Sequence, residues 1–180
     1  MRLAQLRSKI APLLSITDDN LRVRQQMLYQ QPTLRAVLPG RAAAGDREGL
    51  LATAGATGLV LLAAMLGKTR DSIGPAVVQL WEAPCVSTGK VRVMADIKLC
   101  GAGLMLLLQN AELRSRLDCL ELNQDTPELV FIWSDGRRSI FAPFTPKEWR
   151  RRVAEVKKTG LSHIVRLPAN SVDKIADLLK

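Results

Sequence analysis

The chain contains few of the residues from which metal centres and disulfide frameworks are built. It has three cysteines, Cys85, Cys100 and Cys119, without a C-x-x-C pair, and a single histidine, His163. Zinc sites and disulfide sets need more of these residues at closer spacing, so we expect no metal and no other cofactor. Cys100 and Cys119 lie among apolar residues, which predicts buried, reduced thiols and a cytoplasmic location.

Aromatic residues are also scarce, at 4% of the chain, although 47% of the residues are hydrophobic. The core must therefore be built mainly from Leu, Val, Ala and Ile. A chain of 180 residues can bury such a core without covalent staples. Charges run through the first nine residues without a long apolar stretch, so we expect no secretory signal peptide.

Acidic residues are outnumbered by basic ones. The chain has 26 Lys and Arg against 17 Asp and Glu, which gives a formal net charge of +9. Charge of this sign and size attracts polyanions, which include nucleic acid, anionic lipid surfaces and acidic proteins.

The longest stretch without a charged residue, residues 49–67, admits three interpretations. As a membrane span it is marginal, because Gly, Ala and Thr make up much of it and charges flank both ends. Gly67-Lys68-Thr69 does not complete a phosphate-binding loop, because that motif needs glycine where Leu62 stands. We therefore predict a helix that is buried on all sides, and no transmembrane span.

Hydrophobic spacing divides the chain into two parts. It predicts helices at residues 2–14, 18–30 and 49–67. From residue 91 the predicted order is β-α-β-β-β-α-β-α, beginning with an alternating strand at residues 91–99. We predict an α+β fold in which a helical region, residues 1–70, packs with a small mixed α/β region, residues 71–180. A single compact domain with a shared core is expected, and two subdomains are the alternative.

The clearest local signal is a helix start at Thr145-Pro146-Lys147-Glu148, where Thr is the N-cap and Glu completes a capping box. The helix is expected to end near Thr159, with Trp149, Val153 and Val156 on its inner side. Basic residues cover much of the remainder, and a hairpin turn just before the helix carries two more arginines. The predicted nucleic-acid-binding residues are Arg137, Arg138, Lys147, Arg150, Arg151, Arg152, Lys157 and Lys158.

A second candidate site resembles the PD-(D/E)xK nuclease pattern at three residues, Glu82, Asp96 and Lys98. In such enzymes two acids hold Mg²⁺ and the lysine orients the attacking water. Alternation along a strand would place Asp96 and Lys98 on one face. The sequence departs from the pattern because glutamate stands where aspartate is usual.

A third candidate is the outline strand, Gly101-x-Gly103, helix, strand, which is similar to a dinucleotide-binding fold. Leu106 occupies the position of the third glycine, so the match is weak. The alternative is a strand-to-helix turn that needs flexible backbone.

The favoured hypothesis is a non-enzymatic basic protein that binds DNA or RNA through phosphate contacts from its carboxy-terminal half. The N-terminal helices would supply core and, in a homodimer, the subunit interface. One alternative is the Mg²⁺-dependent nuclease. Another is an assembly or membrane-peripheral protein whose positive face meets anionic lipid or an acidic partner.

Overall fold

The computed structural model describes residues 1–38, 52–67, 70–87, 94–159 and 162–180. Over these residues the fold is α+β, as predicted, and helices fill the N-terminal half. The described helices are α1 (Leu3–Leu13), α2 (Asp18–Tyr29), α3 (Ala54–Met65), α4 (Arg70–Trp81), α5 (Cys100–Gln109), α6 (Ala111–Ser115), α7 (Pro146–Thr159) and α8 (Ala169–Asp177), with a short 3₁₀ turn at Pro32–Leu34. The described strands are β1 (Leu117–Asn123), β2 (Glu128–Trp133), β3 (Arg138–Phe141) and β4 (Ile164–Pro168). The predicted loop at 39–47 lies outside the described residues.

Helix α3 is the centre of the helical layer. Each of its residues from Ala54 to Met65 is buried, and it packs against α1, α2, α4 and α5. Its start is capped by the Thr53 hydroxyl, which accepts a hydrogen bond from the Ala56 N–H at 3.1 Å. The prediction of a helix apolar on all sides and buried in the core is confirmed. Among the described helices, a search for a membrane-crossing segment found none.

The buried C-terminal end of α3 needs hydrogen-bond donors from elsewhere, because the last carbonyls of a helix have no partner within it. The Arg24 guanidinium donates to the carbonyls of Ala63 at 2.7 Å, Ala64 at 3.2 Å and Leu66 at 2.6 Å. The Gln124 amide donates to the Met65 carbonyl at 2.9 Å. Side chains from α2 and from the loop after β1 thus complete the helix end.

Helix α5 ends in the same way. Arg114 is 4% exposed and donates from Nη1 to the carbonyls of Leu107 at 3.1 Å and Leu108 at 2.9 Å. Its Nε donates to Asp173 of α8 at 2.8 Å. One arginine therefore joins the end of α5 to α8.

The strands form one antiparallel sheet in the order β3-β2-β1-β4. Alternation along the strands gives the sheet an inner face against the helices and an outer face. The inner face carries the largest core side chains, and the outer face carries charged residues among aliphatic ones. Buried inner residues include Leu120, Leu122, Leu129, Phe131, Trp133, Phe141 and Leu167. One hydrophobic cluster contains these residues together with Leu6, Leu21 and Leu59 of the N-terminal helices.

The predicted strand at residues 91–99 is wrong over its described part. Met94 begins a tight turn through Ala95 and Asp96, and Leu99 makes only an isolated bridge with Pro84 before α5 begins. The Gly101-x-Gly103 pair is likewise not a strand-to-helix turn, because both glycines lie inside α5. Close packing accounts for Gly101, since a Cβ there would lie 2.3 Å from Cε2 of Trp81.

Candidate nucleic-acid interface and the cavity beneath it

Helix α7 begins where its sequence predicts. The Thr145 hydroxyl accepts from the Glu148 N–H at 3.3 Å, and the Glu148 carboxylate accepts from the Thr145 N–H at 3.0 Å. This reciprocal pair is a capping box. The hydrogen bonds from Thr145 lower the pKa of the Glu148 carboxyl. The hydrogen bonds at the helix start are therefore satisfied locally, and apart from Lys147 the cations of α7 lie further along the helix.

The position of α7 follows from the strand order. β3 and β4 are the two edges of the sheet, and α7 connects them, so the helix has to cross over the outer face. Its half-buried residues Trp149, Val153 and Val156 point toward that face. Trp149 reaches Glu128 of β2, and a cavity of about 480 Å³ lies between the rest of this side of the helix and the strands.

The opposite side of α7 carries a row of cations. Lys147, Arg151 and Lys158 are separated by four and seven residues, so they share one side of the helix. All three are exposed, and Arg150 is exposed on the flank of this row. At a rise of about 1.5 Å per residue the row extends over roughly 16 Å. We call Lys147, Arg150, Arg151 and Lys158 the cationic row.

The remaining cations of the predicted set are differently placed. The Arg137 guanidinium forms an ion pair with the Asp135 carboxylate within the hairpin turn, and Nε of Arg137 lies 2.8 Å from Oδ2 of Asp135. This pair neutralises much of the charge of Arg137. Arg152 stacks over the Phe144 ring at 4.4 Å from the centroid. Arg138 is exposed on β3 and lines the cavity. The Lys157 side chain lies outside what the structure describes.

Within the cationic row, Arg151 alone forms an ion pair among the described residues, with Glu155 at 3.9 Å. Both side chains of that pair are mostly exposed, so the pair contributes little. Glu148 and Glu155 lie together on the other flank of α7. The helix surface is thus divided into a cationic side and an acidic edge, which its overall composition did not reveal.

The cavity between α7 and the sheet holds a carboxylate that is absent from the set predicted by sequence. Glu128, at the start of β2, is 9% exposed, and its Oε2 accepts a hydrogen bond from Nε1 of Trp149. Burial raises the pKa of the Glu128 carboxyl, and the hydrogen bond from Trp149 opposes that rise. The strand sequence ELVFIW carried a signal for this placement, because alternation puts Glu128 on the face opposite to Leu129 and Phe131.

Further polar residues line this cavity, namely Glu121, Asn123, Thr126 and Ser162. Glu121 is paired with Arg166 of the neighbouring strand, whose Nε donates to Oε1 at 2.8 Å. Thr126 is 1% exposed, and its hydroxyl has no hydrogen-bond partner within the described part of the chain. A buried hydroxyl without a partner is uncommon, because leaving it unsatisfied costs free energy.

The three residues of the nuclease pattern occupy irregular backbone. Glu82 is exposed in the turn after α4, Asp96 is exposed in the turn that follows Met94, and Lys98 is exposed just before α5. The strand face that would have aligned Asp96 with Lys98 is therefore missing. In the described ranges no group of three His, Cys, Asp or Glu residues could hold a metal ion.

His163 pairs with an acid that is distant from it in sequence. Its backbone N–H donates to the Asp125 carboxylate at 2.6 Å, and its Nδ1 lies 3.2 Å from the same group. Both residues are exposed, and the His163 carbonyl accepts from the Gln124 N–H at 2.9 Å. These contacts hold the start of β4 against the end of β1, which is a structural role.

Fold and site together define an α+β protein with a cationic helix over a partly polar cavity. Comparisons of the chain with protein-family models, with curated proteins and with solved structures found no match.

Proposed function

We propose that the protein binds nucleic acid without cleaving it, through phosphate contacts from the cationic row of α7. The observation that carries this proposal is the arrangement of Lys147, Arg150, Arg151 and Lys158 on one exposed side of a single helix. A nucleic-acid backbone offers a linear array of negative charge, about one per 1.7 Å of axis in duplex DNA. A row of cations roughly 16 Å long is complementary to such an array.

The two-sided construction of α7 supports this role. Its apolar side faces the cavity and the sheet, so the cations are held outward by the fold rather than by ion pairs. Arg138 on β3 extends the positive surface toward the cavity, whereas Arg137 is occupied by Asp135 and contributes less. The proposal includes a cytoplasmic location. A homodimer would place two such rows on one particle.

The test is a titration of a fluorescent single-stranded and a duplex oligonucleotide at several salt concentrations. The variant is Arg150→Glu with Arg151→Glu. Both positions are exposed, and glutamate is a good helix former, so the helix should be preserved. We expect dissociation constants of about 10⁻⁴ to 10⁻⁶ M for the wild type, and at least a tenfold weakening in the variant. The slope of log K against log salt should fall by about 0.7 for each single-strand phosphate that the variant does not neutralise.

The matched control is Lys9→Glu with Arg35→Glu. These residues are exposed on the N-terminal helical region, and the change in net charge is the same. Equal weakening in the two double variants would mean that net charge acts from any surface, and the assignment to α7 would fail. Light scattering on the same samples gives the oligomeric state.

Two further measurements separate the alternatives. Incubation with nucleic acid and Mg²⁺ should leave the substrate intact, whereas cleavage that Asp96→Ala abolishes would establish the nuclease based on Glu82, Asp96 and Lys98. Sedimentation with anionic vesicles, together with no binding to any oligonucleotide, would assign the positive face to lipid instead.

A further inference from the structure

The cavity beneath α7 has the size and the lining of a small-ligand site. Its volume of about 480 Å³ lies within the range of about 300 to 1,000 Å³ that such sites occupy. Apolar walls come from both sides: Val130 and Ile140 from the sheet, Val153 and Val156 from α7. Trp149 adds an aromatic surface. A flat, largely apolar molecule would replace water against these walls.

The polar groups in the cavity have hydrogen-bonding capacity that the protein itself does not use. The Thr126 hydroxyl can donate one hydrogen bond and accept others, and it makes none among the described residues. Glu128 accepts from Trp149 and from the Asn123 side chain, which leaves part of the roughly four acceptor sites of its carboxylate unused. Glu121 is already held by Arg166. Glu128 can therefore accept further hydrogen bonds, and the hydroxyl of Thr126 can donate one.

The cavity meets the proposed nucleic-acid surface at Arg138, which lines the cavity while remaining exposed, whereas the cationic row lies on the opposite side of α7. A strand whose phosphates pass from the cationic row to Arg138 would present its bases close to the opening.

We infer that the cavity takes one unstacked nucleobase of a bound single strand, and that it prefers a base with an exocyclic amino group. This inference rests on the proposed function for the delivery of the base. Glu128 would accept from the amino group, Thr126 would donate to the neighbouring ring nitrogen or carbonyl, and Trp149 would contact the face of the ring. Stacking on aromatic side chains and hydrogen bonds to the base edge are the usual means by which proteins read single strands.

Cytosine and uracil provide a matched pair for the test. They differ at position 4, where cytosine carries an amino donor and uracil a carbonyl acceptor, and at N3, which accepts in cytosine and donates in uracil. A carboxylate attracts the amino donor and repels the carbonyl acceptor. With oligo(C) and oligo(U) of equal length and equal phosphate charge, we expect oligo(C) to bind about fivefold or more tightly than oligo(U) at the same salt concentration.

Two variants attribute that preference to the cavity. Glu128→Gln should reduce the ratio of the two affinities to about one, because an amide can donate as well as accept. Thr126→Val should weaken oligo(C) more than oligo(U). The matched control is Glu112→Gln, an exposed residue of α6 whose substitution makes the same charge change and should leave the ratio intact. Circular dichroism checks that each variant is folded.

The outcomes distinguish this inference from the proposed function. Equal affinity of the wild type for both oligonucleotides, with salt-dependent binding retained, would overturn base capture and leave phosphate binding standing. If neither oligonucleotide binds, the proposed function fails, and the nucleosides cytidine and uridine are then compared by tryptophan fluorescence. A larger change with cytidine that disappears in Trp149→Phe would support the cavity as a base site. No difference between the nucleosides would overturn it.

Discussion

Replacement of Arg114 by methionine should be among the more damaging substitutions of a charged residue in this protein. Methionine keeps most of the apolar stem but removes every donor. The carbonyls of Leu107 and Leu108 at the end of α5 then lack the hydrogen bonds at 3.1 and 2.9 Å that the guanidinium supplies. A hydrogen bond to a charged group contributes about 1.5–3 kcal/mol in net terms. The loss of these two bonds, which share one cation, should lower the free energy of unfolding by an amount of this order.

The ion pair with Asp173 adds less. The Asp173 side chain is 49% exposed, so water can solvate it once Arg114 is gone, and exposed pairs contribute about 0–1 kcal/mol. Removal of the arginine also removes the cost of burying its charge. We therefore expect Arg114→Met to lower the free energy of unfolding by about 2–4 kcal/mol.

Urea and thermal unfolding measure this destabilisation directly. In a chain of this length each kcal/mol corresponds to a shift in Tm of about 2–4 °C. Asp173→Asn is the matched control and should cost less than about 1 kcal/mol. An Arg114→Met variant within about 0.5 kcal/mol of the wild type would refute the proposed cap on α5, because the helix end would then contribute nothing. An Asp173→Asn variant that costs as much as Arg114→Met would assign the stabilisation to the ion pair instead.

Three further outcomes are expected from unfolding measurements. Gly101→Ala should cost about 1–3 kcal/mol, because the new Cβ would lie 2.3 Å from the Trp81 ring. Trp81→Phe in the same chain should recover part of this stability. An unchanged Tm in Gly101→Ala would contradict the close packing of Gly101 on Trp81. Arg24→Met should cost about 1.5–3 kcal/mol by removing the donor at the end of α3, where all three carbonyls are bonded to the single nitrogen Nη1. Arg24→Lys should recover only part of this stability, because the lysine side chain is one bond shorter and lacks the Nε that donates to Asn20; an unchanged free energy of unfolding in Arg24→Met would argue against the cap. The pKa of Glu128 is raised by burial, so the native state keeps this proton over a pH range where the unfolded chain has released it. Stability should therefore fall with rising pH through that range relative to Glu128→Gln, and parallel stability curves from about pH 4 to pH 7 would refute the assignment.

The sequence alone determined the features that depend on neighbouring residues. The capping box at Thr145 and Glu148 is formed as predicted, since its four residues supply both partners. The buried helix at Ala54–Met65 was also predictable, because an uncharged segment rich in leucine and alanine has no polar side to leave in water. The hairpin turn at residues 134–136 follows from Asp-Gly chemistry, and Gly136 adopts the positive φ, 78°, that such turns need.

Alternation by itself misled over the described part of the predicted strand, residues 94–99. A strand needs a partner along its length to satisfy its backbone groups, and among these residues only Leu99 forms a bridge, with Pro84. The described part, from Met94, turns instead into α5. The glycines Gly101 and Gly103 were similarly ambiguous, since a small residue permits a turn and a close helix contact equally well.

Only the tertiary structure decided what surrounds the candidate site. The cavity under α7 joins side chains from all four strands and the helix, and no short segment contains enough of them to show it. Sequence alone gives no reason to distinguish Arg24 and Arg114 from other surface cations. Arg24 nevertheless completes the end of the distant helix α3, and Arg114 completes the end of the neighbouring helix α5. Local hydrogen bonds and the periodicity of hydrophobic residues depend on residues that are close in sequence. The burial of a charge or of Thr126 depends instead on which distant elements pack together.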